Sequence, residues 1–303
     1  MSTLLEVSHV SKRFQMGGLL SRNHIDAVVD ANFSLASENP EIFTIIGESG
    51  SGKTTLARMI LGLEHPTEGD ILFEGKSAAE RNTRAARLEF MRRVQPIFQN
   101  PFETFNPLKQ VDRYLEATAR TLLGVKTKAE VDAAMDDALH KVGLSLKEIA
   151  GRYAHELSGG QLQRVAIARA LIPNPALLIA DEPVSMVDAS LRMSIVNLLK
   201  ELRDTLKVSV IYITHDLATA YYISDRIIIM QKGYVVEMGP ARAVLDAPEH
   251  PYSQLLKSSV LSIDAAGMGV LQPADRAMAE EAWSRAGRGA LVARDDGRMV
   301  RAG

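Results

Sequence analysis

Short, nearly continuous apolar runs alternate with helix-spaced apolar stripes along most of this chain, a pattern that predicts an α/β fold. Ile42-Phe43-Thr44-Ile45-Ile46, Ala176-Leu177-Leu178-Ile179-Ala180 and Val208-Ser209-Val210-Ile211-Tyr212-Ile213 read as core strands of a parallel sheet, buried on both faces. Leu4 to Val10 and Asp26 to Leu35 read as strands about a turn region at Gly17-Gly18, which places an antiparallel β subdomain at the N-terminus. Thr55 to Leu61 is helix-like, Pro66 to Asp70 marks a turn, and Ile71-Leu72-Phe73 is a short strand. Arg81 to Arg93 is a helix-compatible arginine-rich stretch. Without interleaved aromatics it reads as a solvated face rather than a nucleic-acid patch.

Val94 to Phe98 predicts a strand leading to Gln99, followed by a loop, Asn100 to Pro107, whose Phe102 and Phe105 both read as exposed. From Val111 to Tyr153 the spacing is helical, with Val131, Met135, Ala138, Leu139 and Val142 on one stripe, so a helical subdomain of about residues 100–160 is inserted in the α/β core. Helices are expected at Leu162–Leu171 and Ala189–Leu206. Arg226–Met230 and Tyr234–Glu237 form a hairpin about Lys232-Gly233. Two short helices then flank Glu249-His250-Pro251-Tyr252 within 241–262. That closes one domain, 1–262. Residues 263–303, rich in Ala, Gly and Arg, read as a disordered or loosely docked tail with Trp283 as its anchor.

Composition narrows the function classes. The 303 residues are 46% hydrophobic and 24% charged, which fits a globular protein with a substantial core. A net charge of -2 gives no global bias toward nucleic acid or acidic membranes. The absence of cysteine excludes disulfides, thiolate metal sites and a cysteine nucleophile. The first residues lack the basic start and apolar core of a signal peptide, and no apolar run approaches the roughly 20 residues that span a bilayer. A membrane role is therefore expected only through partners.

The chemistry gathers at strand ends. Gly47-Glu48-Ser49-Gly50-Ser51-Gly52-Lys53-Thr54 follows one strand and opens a helix, the context of a phosphate-binding loop. Glycines let backbone N–H groups close around phosphate oxygens, and the helix N-terminus adds partial positive charge. Lys53 is expected to reach the β- and γ-phosphates, and Thr54 to offer its hydroxyl to Mg²⁺. Asp181 and Glu182 end a core strand on the edge where ligands bind in open α/β sheets; Asp181 suits Mg²⁺, and Glu182 suits polarising an attacking water. His215 ends another core strand and suits a γ-phosphate contact. Leu157-Ser158-Gly159-Gly160-Gln161 reads either as a second anion site at a helix start or as an ordinary N-cap with a flexible turn. Phe14 could stack on a purine or be a half-buried strand aromatic.

Taken together, GESGSGKT, Gln99, LSGGQ, LLIADE, Asp188 and His215 resemble the ATPase subunit of ATP-binding cassette (ABC) transporters over about residues 4–262. The Phe-Gln-Asn-Pro segment and Glu-His-Pro-Tyr-Ser-Gln-Leu-Leu are similar to the oligopeptide/dipeptide-type importer branch, which also includes oligosaccharide importers. The resemblance implies an ATPase with ATP and Mg²⁺. Phe14 becomes the adenine-stacking aromatic. Gly47 to Thr55, including Ser49, Gly50, Gly52, Lys53, Thr54 and Thr55, becomes the phosphate loop. Gln99 links Mg²⁺ and water to a transmembrane interface, Asp181 partners Mg²⁺, Glu182 is the catalytic base and His215 contacts the γ-phosphate. Asp188 belongs to the nucleotide site, and Ser158, Gly160 and Gln161 serve the nucleotide of a facing subunit.

The implied partners are two transmembrane permease subunits, a second ABC ATPase more often different than identical, and an extracytoplasmic solute-binding protein, with no nucleic acid. The implied place is the cytoplasmic face of the inner membrane. An exporter ATPase, or a soluble cassette protein acting on ribosomes or DNA, is the alternative. Ser185-Met186-Val187-Asp188 departs from the family's usual Ser-Ala-Leu-Asp while keeping Asp188, and Asn39-Pro40 replaces the usual glycine before Glu41.

Overall fold

The computed structural model describes residues 2–16, 23–77, 80–185, 187–266 and 286–302. The turn region at Gly17-Gly18, Met186 and the proposed anchor Trp283 lie outside them. The chain divides into two compact units, one of residues 1–78 with 213–303 and one of residues 79–212. Its strands are β1 Thr3–Gln15, β2 His24–Ala36, β3 Ile42–Ile46, β4 Glu68–Phe73, β5 Lys76–Ser77, β6 Val94–Ile97, β7 Leu177–Asp181, β8 Ser209–Thr214, β9 Arg226–Gln231, β10 Tyr234–Pro240, β11 Ala290–Ala293 and β12 Met299–Ala302.

In the first unit the strands run in the order β5-β4-β1-β2-β10-β9-β3. The antiparallel subdomain expected at the N-terminus is present: β1 pairs antiparallel with β2 and with β4, and both long strands extend beyond the predicted limits. Every residue of β3 is buried, as its unbroken apolar run requires, and β3 lies parallel to β9. The β9–β10 hairpin turns at Lys232 and Gly233, both at positive φ (48° and 87°). A two-residue turn of that kind matches the right-handed twist of the strands it joins.

The second unit carries β6 and β7 as a parallel pair, with Val94 opposite Leu177 and Ile97 opposite Ala180. Its inserted helices follow the predicted stripe. Lys128–His140 buries Val131, Met135, Ala138 and Leu139, and a capping box of Thr127 and Glu130 starts it. The helix Arg84–Arg93 buries none of its residues, so the arginine-rich stretch is the solvated face that its pattern predicts.

Two expectations need correction. Phe105 is 1% exposed, against 45% for Phe102. The short helix Pro101–Thr104, capped by the Asn100 side chain, turns Phe105 inward onto the edge of Tyr114, at 5.1 Å between ring centroids. The looseness expected of the tail does not extend to its last part: β11 and β12 pair antiparallel, and β12 pairs with β10 at Glu237 and Met238. Arg301 fixes this hairpin by donating to the carbonyl of Val235 (2.9 Å) and of Gly289 (2.7 Å). No helix among the described residues is long and apolar enough to cross a membrane.

Candidate functional site

In the first unit β3 runs into Gly47–Gly52, and the helix Lys53–Ile60 follows at once. Gly52 takes the N-cap position in the left-handed region (φ 103°), with no side chain to cap the helix and no acidic residue in its first turn. The first amides and the positive end of the helix dipole are thus left for an anion. Two glycines are demanded by close backbone approach. A Cβ on Gly52 would lie 2.2 Å from the carbonyl oxygen of Ala27 on β2, and one on Gly47 would lie 2.3 Å from that of Met230 on β9. The turn between β9 and β10 also holds the loop, since Gly233 N–H donates to the carbonyl of Ser51 at 3.0 Å.

Lys53 is 5% exposed, and its ammonium donates to the carbonyls of Gly47 (2.7 Å) and Glu48 (2.8 Å). The loop therefore holds its own cation against its backbone. Ser51 Oγ is buried and finds no hydrogen-bond partner among the described residues, a polar atom that a bound oxyanion would satisfy. Ser49, Gly50 and Thr54 are exposed and Thr55 is half-buried, so the Thr54 hydroxyl is accessible to a cation. Phe14, 37% exposed on β1, has the Lys12 ammonium 4.9 Å from its ring centroid.

His215 also belongs to this unit, exposed just past the end of β8. The Asp216 carboxylate, next in sequence, caps the helix Leu217–Ile223 by accepting from Ala218 and Thr219 N–H. The segment after β10 reaches the phosphate loop as well: the Tyr252 hydroxyl accepts from the Glu48 N–H at 3.0 Å. Sequence reading missed this contact. His250-Pro251-Tyr252 stood out only as a resemblance, since nothing in its pattern points 204 residues back along the chain. Burial pushes the Tyr252 hydroxyl up to about 12.

The second unit holds the other predicted residues. Asp181 closes β7, half-buried, and Glu182 follows with φ 46°, a left-handed conformation unusual for a residue with a side chain. Its carbonyl accepts from Ser185 N–H (3.1 Å) and Ser185 Oγ (3.0 Å), and its carboxylate accepts from Gln99 Nε2 at 2.9 Å. Gln99, which proves little in the sequence alone, is thereby placed against the candidate base. Asp188, exposed, precedes the helix Ala189–Leu206.

The Leu157–Gln161 loop opens the helix Gly159–Leu171 with a complete capping box. Ser158 Oγ accepts from Gln161 N–H (3.2 Å), and Gln161 Oε1 accepts from Ser158 N–H (3.0 Å). A Cβ on Gly160 would lie 2.9 Å from the Leu191 side chain.

Thr54 in the first unit and Asp181 in the second each carry an oxygen donor of the kind that Mg²⁺ takes. No cluster of three acidic or histidine ligands exists among the described residues, and this ion needs none, because it binds through one or two carboxylates together with nucleotide phosphates and water.

A buried strand, a glycine loop folded around its own lysine and an uncapped helix start define a P-loop nucleotide-binding protein. A family model described as "ABC transporter" matches residues 31–185, and one described as "Oligopeptide/dipeptide transporter, C-terminal region" matches residues 236–283. The chain belongs to the ABC transporter family, as an ATPase with the P-loop α/β fold expected from its sequence. It is 40% identical over 257 residues to the oligopeptide transport ATP-binding protein OppF of Bacillus subtilis, covering 85% of this chain and 82% of that one. It is 41% identical over 234 residues to the oligopeptide transport ATP-binding protein AmiF of Streptococcus pneumoniae, covering 77% and 75%. Among solved structures it is similar to the dimeric post-hydrolysis state of the ATP-binding cassette MJ0796 bound to ADP and Pi, with TM-score 0.68, 28% identity and coverage of 78% and 99%. It is also similar to cbiO1 from Clostridium perfringens, part of the ABC transporter complex cbiONQ, with TM-score 0.69, 25% identity and coverage of 87% and 98%.

Proposed function

We propose that this chain hydrolyses ATP to power the import of oligopeptides through two transmembrane partners, at the cytoplasmic face of the membrane. The observation that carries this reading is the joining, in one chain, of the phosphate cradle around Lys53 to a C-terminal region shared with oligopeptide and dipeptide transporters. The relatives named for oligopeptide transport favour peptides over oligosaccharides as cargo.

In this reading the amides of Gly50 to Thr54 and the Lys53 ammonium bind the β- and γ-phosphates, Phe14 stacks on adenine, and Thr55 and Asp188 complete the nucleotide contacts. Thr54, Asp181 and Gln99 would hold Mg²⁺, which would supply neutralisation of phosphate charge. Glu182 orients the attacking water and accepts its proton as oxygen bonds to the γ-phosphorus. The bond to the bridging oxygen breaks, and ADP and inorganic phosphate leave. His215 donates to the γ-phosphate oxygens. Ser158, Gly160 and Gln161 act on the nucleotide of a facing ATPase, so complete sites form in a head-to-tail pair, with a different second ATPase favoured over an identical one. An extracytoplasmic binding protein would deliver the peptide.

The test is to tag the chain, extract membranes in mild detergent and identify what stays bound by mass spectrometry. Two multi-span proteins and a second cassette ATPase would support the importer. Ribosomal proteins alone would overturn the transport reading and leave the ATPase chemistry standing.

A further inference from the structure

We infer that Tyr252 is a positioning residue for the phosphate loop: its hydroxyl holds the peptide plane between Gly47 and Glu48, which in turn holds Lys53. The inference rests on the ATP-binding reading of that loop.

The carbonyl of Gly47 and the N–H of Glu48 belong to one planar peptide group. Lys53 Nζ donates to the first at 2.7 Å, and the Tyr252 hydroxyl accepts from the second at 3.0 Å. The plane is therefore pinned at both ends. If it rotates, the carbonyl that fixes the lysine moves with it, and the amides that follow lose their common direction. The Glu48 amide is committed to Tyr252, so the later amides of the loop are the ones left for phosphate.

Tyr252 is itself held in place. It is 2% exposed and packs with Ile46, Ile229, Val236, Val244 and Leu245. Its own N–H donates to His250 Nδ1 at 3.2 Å. Behind it, the fully buried Glu237 carboxylate accepts from the N–H groups of Glu249 and His250, both at 3.1 Å. Arg298, next to β12, lies 3.6 Å from the same carboxylate and 2.9 Å from that of Glu249. A ring fixed by packing and a segment fixed by a buried carboxylate present the hydroxyl at one point. Such preorganisation lowers what the loop must lose on ordering around a nucleotide.

The experiment compares the full chain with Tyr252→Phe and Tyr252→Leu, and with Lys53→Ala as a binding control. Titration with a fluorescent ATP analogue, steady-state ATPase kinetics and amide exchange over residues 47–54 are the readouts. Tyr252→Phe keeps the ring in its cluster and removes only the acceptor. It should weaken nucleotide binding and raise KM by about 5- to 20-fold, as for one lost buried hydrogen bond. It should leave kcat within about twofold, because the contact serves ground and transition states alike. The Glu48 amide should exchange faster in the ligand-free variant, a readout that holds even if Tyr252→Leu fails to fold. Wild-type affinity and wild-type exchange in Tyr252→Phe would overturn the inference and leave the ATPase reading intact. A folded wild-type chain that binds no nucleotide would remove both.

Discussion

Gln99 Nε2 donates a 2.9 Å hydrogen bond to Oε2 of Glu182, joining the second residue past β6 to the one that follows β7. The two strands lie parallel, so their ends deliver both side chains to one edge. Glu182 is further held by its positive-φ backbone and by the Ser185 contacts to its carbonyl. A carboxylate gripped in this way needs no search for its orientation.

Glu182→Gln should leave nucleotide affinity intact and slow ATP turnover by about 10² or more, the loss expected of a general base. Gln99→Ala removes the grip on that carboxylate and one proposed Mg²⁺ ligand. It should lower kcat by a smaller factor, on the order of 3- to 10-fold, with affinity for Mg²⁺-free nucleotide unchanged. Single-turnover ATPase assays beside equilibrium binding without Mg²⁺ separate the two, and equal kcat losses in both variants would count against a supporting role for Gln99.

Gly52 and Gly50 should respond differently to alanine. Gly52 has φ 103° and the Ala27 carbonyl where a Cβ would sit, and backbone cannot rotate away as a side chain can. Gly52→Ala should destabilise the fold by about 3 kcal/mol or more and abolish nucleotide binding. Gly50, at φ 79°, has open space around its missing Cβ. Gly50→Ala should cost about 1 kcal/mol, the strain of a left-handed residue alone. Urea denaturation of the two variants tests this contrast.

The C-terminal hairpin should stabilise the core through Arg298. Burial pushes the Glu237 carboxyl above its usual range, while the Glu249 and His250 N–H groups and the Arg298 charge pull against that. Arg298→Met should destabilise the protein by about 3 kcal/mol at neutral pH, as expected when a buried carboxylate loses its cation. With its folded-state pKa raised, Glu237 favours the folded protein most when protonated. The deficit of Arg298→Met should therefore shrink as pH falls toward the ordinary carboxylate range. Denaturation of both proteins across that range is the measurement, and a pH-independent deficit would count against Glu237 as the cause.

Tyr252 offers a pH signature of its contact. Its hydroxyl is raised to about 12 from an ordinary value near 10. The neutral form is thus favoured in the folded state. Its contribution to stability is fully present below pH about 10 and is lost as pH rises through about 12. The phenolate absorbance missing from Tyr252→Phe should appear only toward that upper limit in the folded wild type. Ionisation of this tyrosine near 10 would mean that the hydroxyl is solvated.

Much of this protein was legible in one dimension. The runs at Ile42–Ile46, Leu177–Asp181 and Ser209–Thr214, the stripe of Val131, Met135, Ala138 and Leu139, and the Ser158 cap each depend on residues within a few positions of one another, so periodicity and turn chemistry suffice to predict them. The phosphate-loop motif is equally local, because Lys53 donates to the carbonyls of its own loop. Tertiary structure alone decided that Ala27 closes over Gly52, that Phe105 turns inward while Phe102 stays out, that residues 290–302 add strands beside β10, and that Tyr252 meets Glu48. Each of these contacts joins distant segments or depends on which face of a short element meets the core. Pairing register and burial settle such matters, and neither is written in the pattern of any single segment.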